Sequence, residues 1–148
     1  MTKPEIIEGN IAVDDRGNLR FCNDFNFAEK GIKRFYQVEN IDKNVIRAFH
    51  AHLNEKKYVF VPKGCFKVIC VKLDKDGRMG ITPETFILSD KKPSILFIPN
   101  GYANGFMDLE GDGIIQFFST STLEESKNDD IRFEWDTGGK GIWETKNR

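Results

Sequence analysis

His50 and His52 are the only imidazoles in a chain of 148 residues, and they stand two apart in the stretch Arg47 to Gly64, RAFHAHLNEKKYVFVPKG. On an extended strand, residues i and i+2 leave the same face, so both rings are offered to one side. Imidazole is the side chain that takes up or releases a proton near neutral pH, which makes each ring a candidate general base. Beyond a polar corner at Asn54-Glu55-Lys56 come Lys57 and a β-rich run, Tyr58-Val59-Phe60-Val61, closed by the turn signal Pro62-Lys63-Gly64. The stretch reads as strand, turn, strand, with titratable groups at the bend. Two histidines on one strand face also suit a hydrogen-bonded core pair or part of a metal site.

The elements that would position these groups are strands. After a short, mobile start, Ile11 to Cys22 reads as a hairpin around Asp14-Asp15-Arg16-Gly17-Asn18, with Arg16 at its tip. Asn26 to Lys30 is a loop or one helical turn, and Ile32 to Val38 alternates as a strand that carries Tyr36. In Cys65 to Leu73 both alternate faces are mostly apolar, the pattern of a strand sandwiched between layers. A turn at Asp74 to Gly77, a strand over Thr85 to Leu88, a strand over Ile95 to Ile98, a turn from Pro99 to Phe106 and an apolar strand over Ile114 to Ser119 follow. Glu124 to Asp130 is a polar, charged tail, after which Ile131 to Trp143 brings Phe and Trp back to the protein. Many short strands separated by Gly and Pro turns predict an all-β sandwich or jelly roll, and no repeat or linker divides residues 1–148 into more than one domain.

Composition narrows the partners. A net charge of −1 without a basic cluster argues against nucleic acid, so an anionic ligand would need locally placed Arg and Lys. No run approaches 18 apolar residues and the start lacks the apolar core of a signal peptide, which predicts a cytoplasmic protein that meets no membrane. Cys22, Cys65 and Cys70 are an odd set without zinc-like spacing and read as free thiols.

A strand with His-x-His followed by a later Ile-Pro-x-Gly-Tyr-x-x-Gly-Phe segment resembles the cupin superfamily, a double-stranded β-helix jelly-roll barrel. Within it the chain is similar to the dTDP-4-dehydrorhamnose 3,5-epimerase family over about residues 14–143. The anchors are Asp15-Arg16-Gly17, Val45 to His50, Lys57 with Gly64, Ile98 to Phe106, Trp135-Asp136 and Gly141-Ile142-Trp143. Asp15 to Leu19, Ile32 to Tyr36 and Arg47 to His52 also resemble the sugar-nucleotide 3,4-ketoisomerases.

The resemblance implies a nucleoside-diphosphate 4-keto-6-deoxyhexose as substrate, a sugar of bacterial surface polysaccharide, with no cofactor, no metal, and a homodimer whose N-terminal strands cross the interface. It implies His50 as the base, Asp136 as the carboxylate that holds it, and Lys57 at the enolate oxygen. Arg16 and Arg47 match positions on the diphosphate, while Tyr36, His52, Asn104 and Phe117 complete the substrate site. Phe117 stands where the family has a tyrosine acid, and Asn104 where it has a second histidine. Neither can transfer a proton. A one-centre epimerisation with Tyr36, Tyr58 or Tyr102 as acid, a 3,4-ketoisomerisation, a metal-dependent cupin and a non-catalytic carbohydrate-binding barrel therefore stand beside the 3,5-epimerase as readings.

Overall fold

Alternation along the strands builds two layers. The structure, a computed structural model, describes residues 3–148. Its strands are β1 (Glu5–Glu8), β2 (Asn10–Asp14), β3 (Gly17–Phe21), β4 (Arg34–Val38), β5 (Ile46–Ala51), β6 (Lys57–Lys63), β7 (Cys65–Leu73), β8 (Met79–Ser89), β9 (Ser94–Ile98), β10 (Tyr102–Asp108), β11 (Ile114–Ser119) and β12 (Ile131–Arg132). Two short helices, α1 (Phe27–Lys30) and α2 (Leu123–Lys127), and a closing 3₁₀ turn at Lys140–Trp143 complete the chain. One five-stranded sheet has the order β1-β9-β6-β11-β4 and the other β12-β5-β10-β7-β8, all antiparallel, while β2 and β3 form a separate hairpin. This is the jelly roll expected from the sequence.

β7 shows how the layers are filled. Phe66, Val68 and Cys70 enter the core between the sheets with Val59, Leu96, Ile98, Ile115 and Phe117 from the facing sheet. Ile69, Val71 and Leu73 leave by the other face, where Phe49 and Trp143 cover them. The outer face of the first sheet buries Tyr58, Ile95 and Phe97 under Ile7, Phe25 and Ile32. Burying both faces of both sheets needs the chain ends, and this corrects the reading of the N-terminus as a mobile start. Its residues 1 and 2 lie outside the described residues, but Glu5–Glu8 is a strand, paired in register with β9.

Two turns are shorter than expected. Pro62 and Lys63 stay in β6, and Gly64 alone makes the reversal with φ of +91°. The segment Pro99 to Phe106 turns only as far as Gly101, and from Tyr102 onward it is β10, hydrogen-bonded to β5 on one side and β7 on the other. The polar tail is also more structured than its composition suggests. Thr122 and Glu125 form a reciprocal capping box at the start of α2, and Lys33 bonds Glu125 at 2.9 Å.

Candidate active site

The inward residues of β5, namely Ile46, Ala48, His50 and, just past its end, His52, line one wall of a cavity of about 550 Å³ between the sheets. A bulge sets this wall. Between the pairs Asn104↔His50 and Phe106↔Arg47, β5 spends two residues, Ala48 and Phe49, against the single Gly105 of β10. That offset lets Arg47 reach the cavity although it neighbours Ala48. Gly105 is required for the approach, because a Cβ there would run into the Ala48 side chain. The facing wall comes from the other sheet: Lys57 at the start of β6, Phe117 on β11, and Tyr36 and Val38 on β4. Leu123, Ser126 and Lys127 of α2, with Asp130 just ahead of β12 and Arg132 in it, close the remaining side.

His50 Nδ1 stands 3.5 Å from Asp130 Oδ1, while Arg132 Nε donates to the other oxygen of Asp130 at 2.9 Å. Burial pushes Asp130 up, but the bonds from Arg132 and His50 outweigh it and hold its carboxyl below the usual range. An ionised carboxylate can only accept, so the proton of the neutral imidazole sits on Nδ1 and Nε2 is left basic. Burial also pushes His50 below its ordinary value, and Asp130 offsets this only in part against Lys57 and Arg132. The ring is therefore unprotonated at neutral pH, the state a general base needs. Asp136 is not the carboxylate beside His50. It is exposed in the turn after Glu134, where its carbonyl accepts from Gly139, and it does not line the cavity. The carboxylate that the fold sets against His50 is Asp130.

Glu55 is the charged hub of the facing wall. Its side chain is fully buried, and Oε1 accepts from Ser119 Oγ at 2.7 Å and Arg34 Nη2 at 3.2 Å. Oε2 has no hydrogen-bond donor, but His52 Nε2 at 3.2 Å and Lys57 Nζ at 3.6 Å face it. Burial alone would raise Glu55, yet Lys57 and the Ser119 hydroxyl hold it ionised and below its ordinary value. Lys57 is thus anchored with its ammonium 5.7 Å from the centre of the Phe117 ring. His52 is buried, and its Nδ1 donates to the Asp129 carbonyl at 2.6 Å. Burial and Lys57 push it down, so it too is neutral, with its proton committed to Asp129. Among the described residues no group of three or more His, Cys, Asp or Glu side chains is placed to hold a metal ion.

Of the other expected residues, Arg47, Asn104, Tyr36 and Phe117 reach the cavity. Arg47 Nε donates to Asn40 Oδ1 at 2.7 Å, and Asn104 Nδ2 to the His50 carbonyl at 3.2 Å. Phe117 is buried and stacks nearly parallel on Tyr36, its register partner on β4, with ring centres 5.0 Å apart. Tyr58 packs on the outer face of its sheet and Tyr102 does not line the cavity, which leaves Tyr36 as the tyrosine present there. Arg16 does not join the cavity. It is exposed at the β2–β3 tip and paired with Asp14 at 2.6 Å. Asp129, Asp130, Lys127 and Arg132 were not anticipated, since a charged tail reads as solvated. The one signal was the adjacent carboxylates Asp129-Asp130 directly ahead of the returning apolar segment.

Arg47, Lys57, Lys127 and Arg132 against the single carboxylate Asp130 make the cavity lining cationic, as an anionic ligand requires. The chain is 30% identical over 106 residues to the spore coat polysaccharide biosynthesis protein SpsL of Bacillus subtilis (strain 168), covering 70% of each. Its fold is similar to that of dTDP-4-dehydrorhamnose 3,5-epimerase from Bacillus anthracis str. Ames, solved with TDP and PPi bound, with a TM-score of 0.75, 22% identity, and 90% and 79% of the two chains covered. It is also similar to a 3,4-ketoisomerase from Helicobacter canadensis, with a TM-score of 0.68, 21% identity, and 90% and 92% covered. The family model for dTDP-4-dehydrorhamnose 3,5-epimerase matches residues 3–142, and the chain belongs to that family.

Proposed function

We propose that this protein is an isomerase that epimerises a nucleoside-diphosphate 4-keto-6-deoxyhexose beside its keto group, by proton abstraction and return. The carbonyl acidifies the neighbouring C–H bond. His50 Nε2 takes that proton, Asp130 steadies the imidazolium, and the enolate oxygen faces the Lys57 ammonium. Inversion needs a proton delivered to the opposite face, and Tyr36 supplies it from the other sheet in place of the phenol that Phe117 lacks. Tyr36 regains its proton, and His50 loses its own, by exchange with water. Arg47, Lys127 and Arg132 bind the diphosphate, while His52 and Asn104 shape the wall beside the sugar. In the homodimer that the resemblance implies, Arg16 on the β2–β3 hairpin reaches the mouth of the neighbouring protomer's cavity. We place the protein in the cytoplasm, in the making of a sugar for a bacterial surface polysaccharide such as O-antigen.

The observation that carries this reading is the pairing of His50 with Asp130 on one sheet across the cavity from Lys57 and Tyr36 on the other. The phenylalanine at position 117 favours the runner-up, a 3,4-ketoisomerase, in which His50 alone moves the proton from C3 to C4 on one face while the C3 hydroxyl gives up its proton and the C4 oxygen gains one by exchange with water. Proton NMR of dTDP-4-keto-6-deoxyglucose with the protein in deuterated water separates the two. Deuterium at an inverted C3 or C5 is expected, a 3-keto product would establish the ketoisomerase, and no exchange and no product with this or the GDP-linked sugar would overturn both.

A further inference from the structure

We propose that His52 and Asp129 are positioning residues, which together clamp the chain just ahead of Asp130 onto the corner after β5 and so set Asp130 against His50. The proposal rests on the reading of His50 as the base. The clamp has two jaws. The His52 Nδ1–H donates to the Asp129 carbonyl at 2.6 Å, and the Asp129 carboxylate accepts the backbone N–H groups of Leu53, Asn54 and Glu55 at 2.8, 2.9 and 3.0 Å. The corner 52–56 lies outside every strand, so those three N–H groups have no sheet ladder to satisfy them, and Asp129 supplies the acceptors. Burial raises the Asp129 carboxyl, but the three bonds outweigh it and keep it ionised.

Asp130 is the next residue. On its far side β12 shares only two register pairs with β5, extended by the mutual hydrogen bonds of Phe49 and Phe133. On its near side the clamp is joined by one local tie between α2 and β12, the Asp129 N–H donating to the Ser126 carbonyl at 3.1 Å. Arg132 binds the same carboxylate, but it is itself exposed and held by that bond alone, so it follows Asp130 rather than placing it. His52 thus acts through Asp130.

Isosteres take the clamp apart. An asparagine amide nitrogen stands near the position of His Nδ1 and keeps the donor to Asp129, whereas a glutamine amide nitrogen stands near Nε2 and loses it. Because the chain has two histidines, either replacement leaves His50 as the single imidazole, and its titration is read directly by proton NMR. Asp130→Asn is then added to each background. With the clamp intact, in His52→Asn, Asp130→Asn should lower the His50 pKa by about half a unit or more, since a facing carboxylate favours the imidazolium. With the clamp broken, in His52→Gln, Asp130 has already swung away, and the same change should lower it by less than about 0.2 units. Equal shifts in the two backgrounds would overturn the proposal. If His52→Gln does not fold, Asp129→Asn in the His52→Asn background takes its place with the same expectation. No turnover enters this titration, so an inactive wild type would count against the proposed reaction while the clamp is still decided. Where turnover is present, His52→Gln should lower kcat about ten- to thirtyfold, as replacing Asp130 does, with KM little changed, and His52→Asn no more than about fivefold.

Discussion

The two ends of the His-x-His segment share a residue type, a strand face and a wall of the same cavity, yet they are built for different tasks. His50 keeps 42% of its side chain exposed and meets one partner at a long 3.5 Å. His52 keeps 7%; its one ring proton is held at 2.6 Å by the Asp129 carbonyl, and its other nitrogen faces Glu55 at 3.2 Å without a bond. A group that must move a proton needs a free nitrogen and a contact that can tighten when substrate closes the site. A group that must hold its neighbours needs its proton committed to a short, buried bond, as at His52 Nδ1. The difference comes from what packs against each ring rather than from either ring itself.

Removing each ring's proposed task should therefore break the molecule in different ways. His50→Asn should abolish turnover, by about 10³-fold or more in kcat, while nucleotide binding by calorimetry and the thermal transition stay near wild type. A variant that keeps a tenth of the activity would exclude His50 as the base. Tyr36→Phe should come next, with loss of about 10² in the formation of inverted product but continued deuterium exchange at the abstracted carbon, because the base on the other sheet is untouched. Equal loss of exchange and inversion would remove Tyr36 from the donor's place.

The buried side of the comparison reads out as stability. Glu55→Gln leaves Lys57 and Arg34 without their counter-charge and should cost about 3 kcal/mol in urea unfolding at pH 7. The sign of its pH dependence follows from the depressed carboxyl. Glu55 contributes stability that is complete above its ordinary 4.5 and is lost as pH falls through the lower folded value. The gap between wild type and variant should therefore narrow on acidification. A gap that widens would mean Glu55 is protonated in the fold.

How far the sequence could anticipate this site follows strand by strand. His50, Lys57, Tyr36 and Phe117 were named through the family resemblance, with His50 also marked by its residue type and strand, and the fold brings all four to one cavity. Asp130 was not, because its place depends on α2 and the two-residue β12, which are held by the capping box, Asp129 and the pairing of Phe133 rather than by a pattern of their own. Asp136 attracted the assignment for the same reason: without a regular element, position in the tail can be matched only by counting. The outer strand β1 was missed because four residues with two glutamates look like a solvated start, although Ile7 packs beneath its sheet.

Asp130→Asn tests the finest point of the contrast between the two rings. The loss in kcat should be about ten- to thirtyfold, with Asp136→Asn within twofold of wild type, since an amide can still accept from Nδ1 but cannot neutralise the imidazolium. The pH profile says more than the rate. His50 already titrates below the ordinary imidazole value of 6.5 because burial disfavours its charged form, so kcat/KM should be flat above that pH and fall below it. The carboxylate is the group that favours the charged ring. Without it the folded pKa drops further, and the acid limb of Asp130→Asn should lie at lower pH than that of wild type even though the plateau is lower. A limb that moves upward would mean that the carboxylate facing His50 during turnover is some other residue. In that case the His50–Asp130 contact would belong to the resting protein alone.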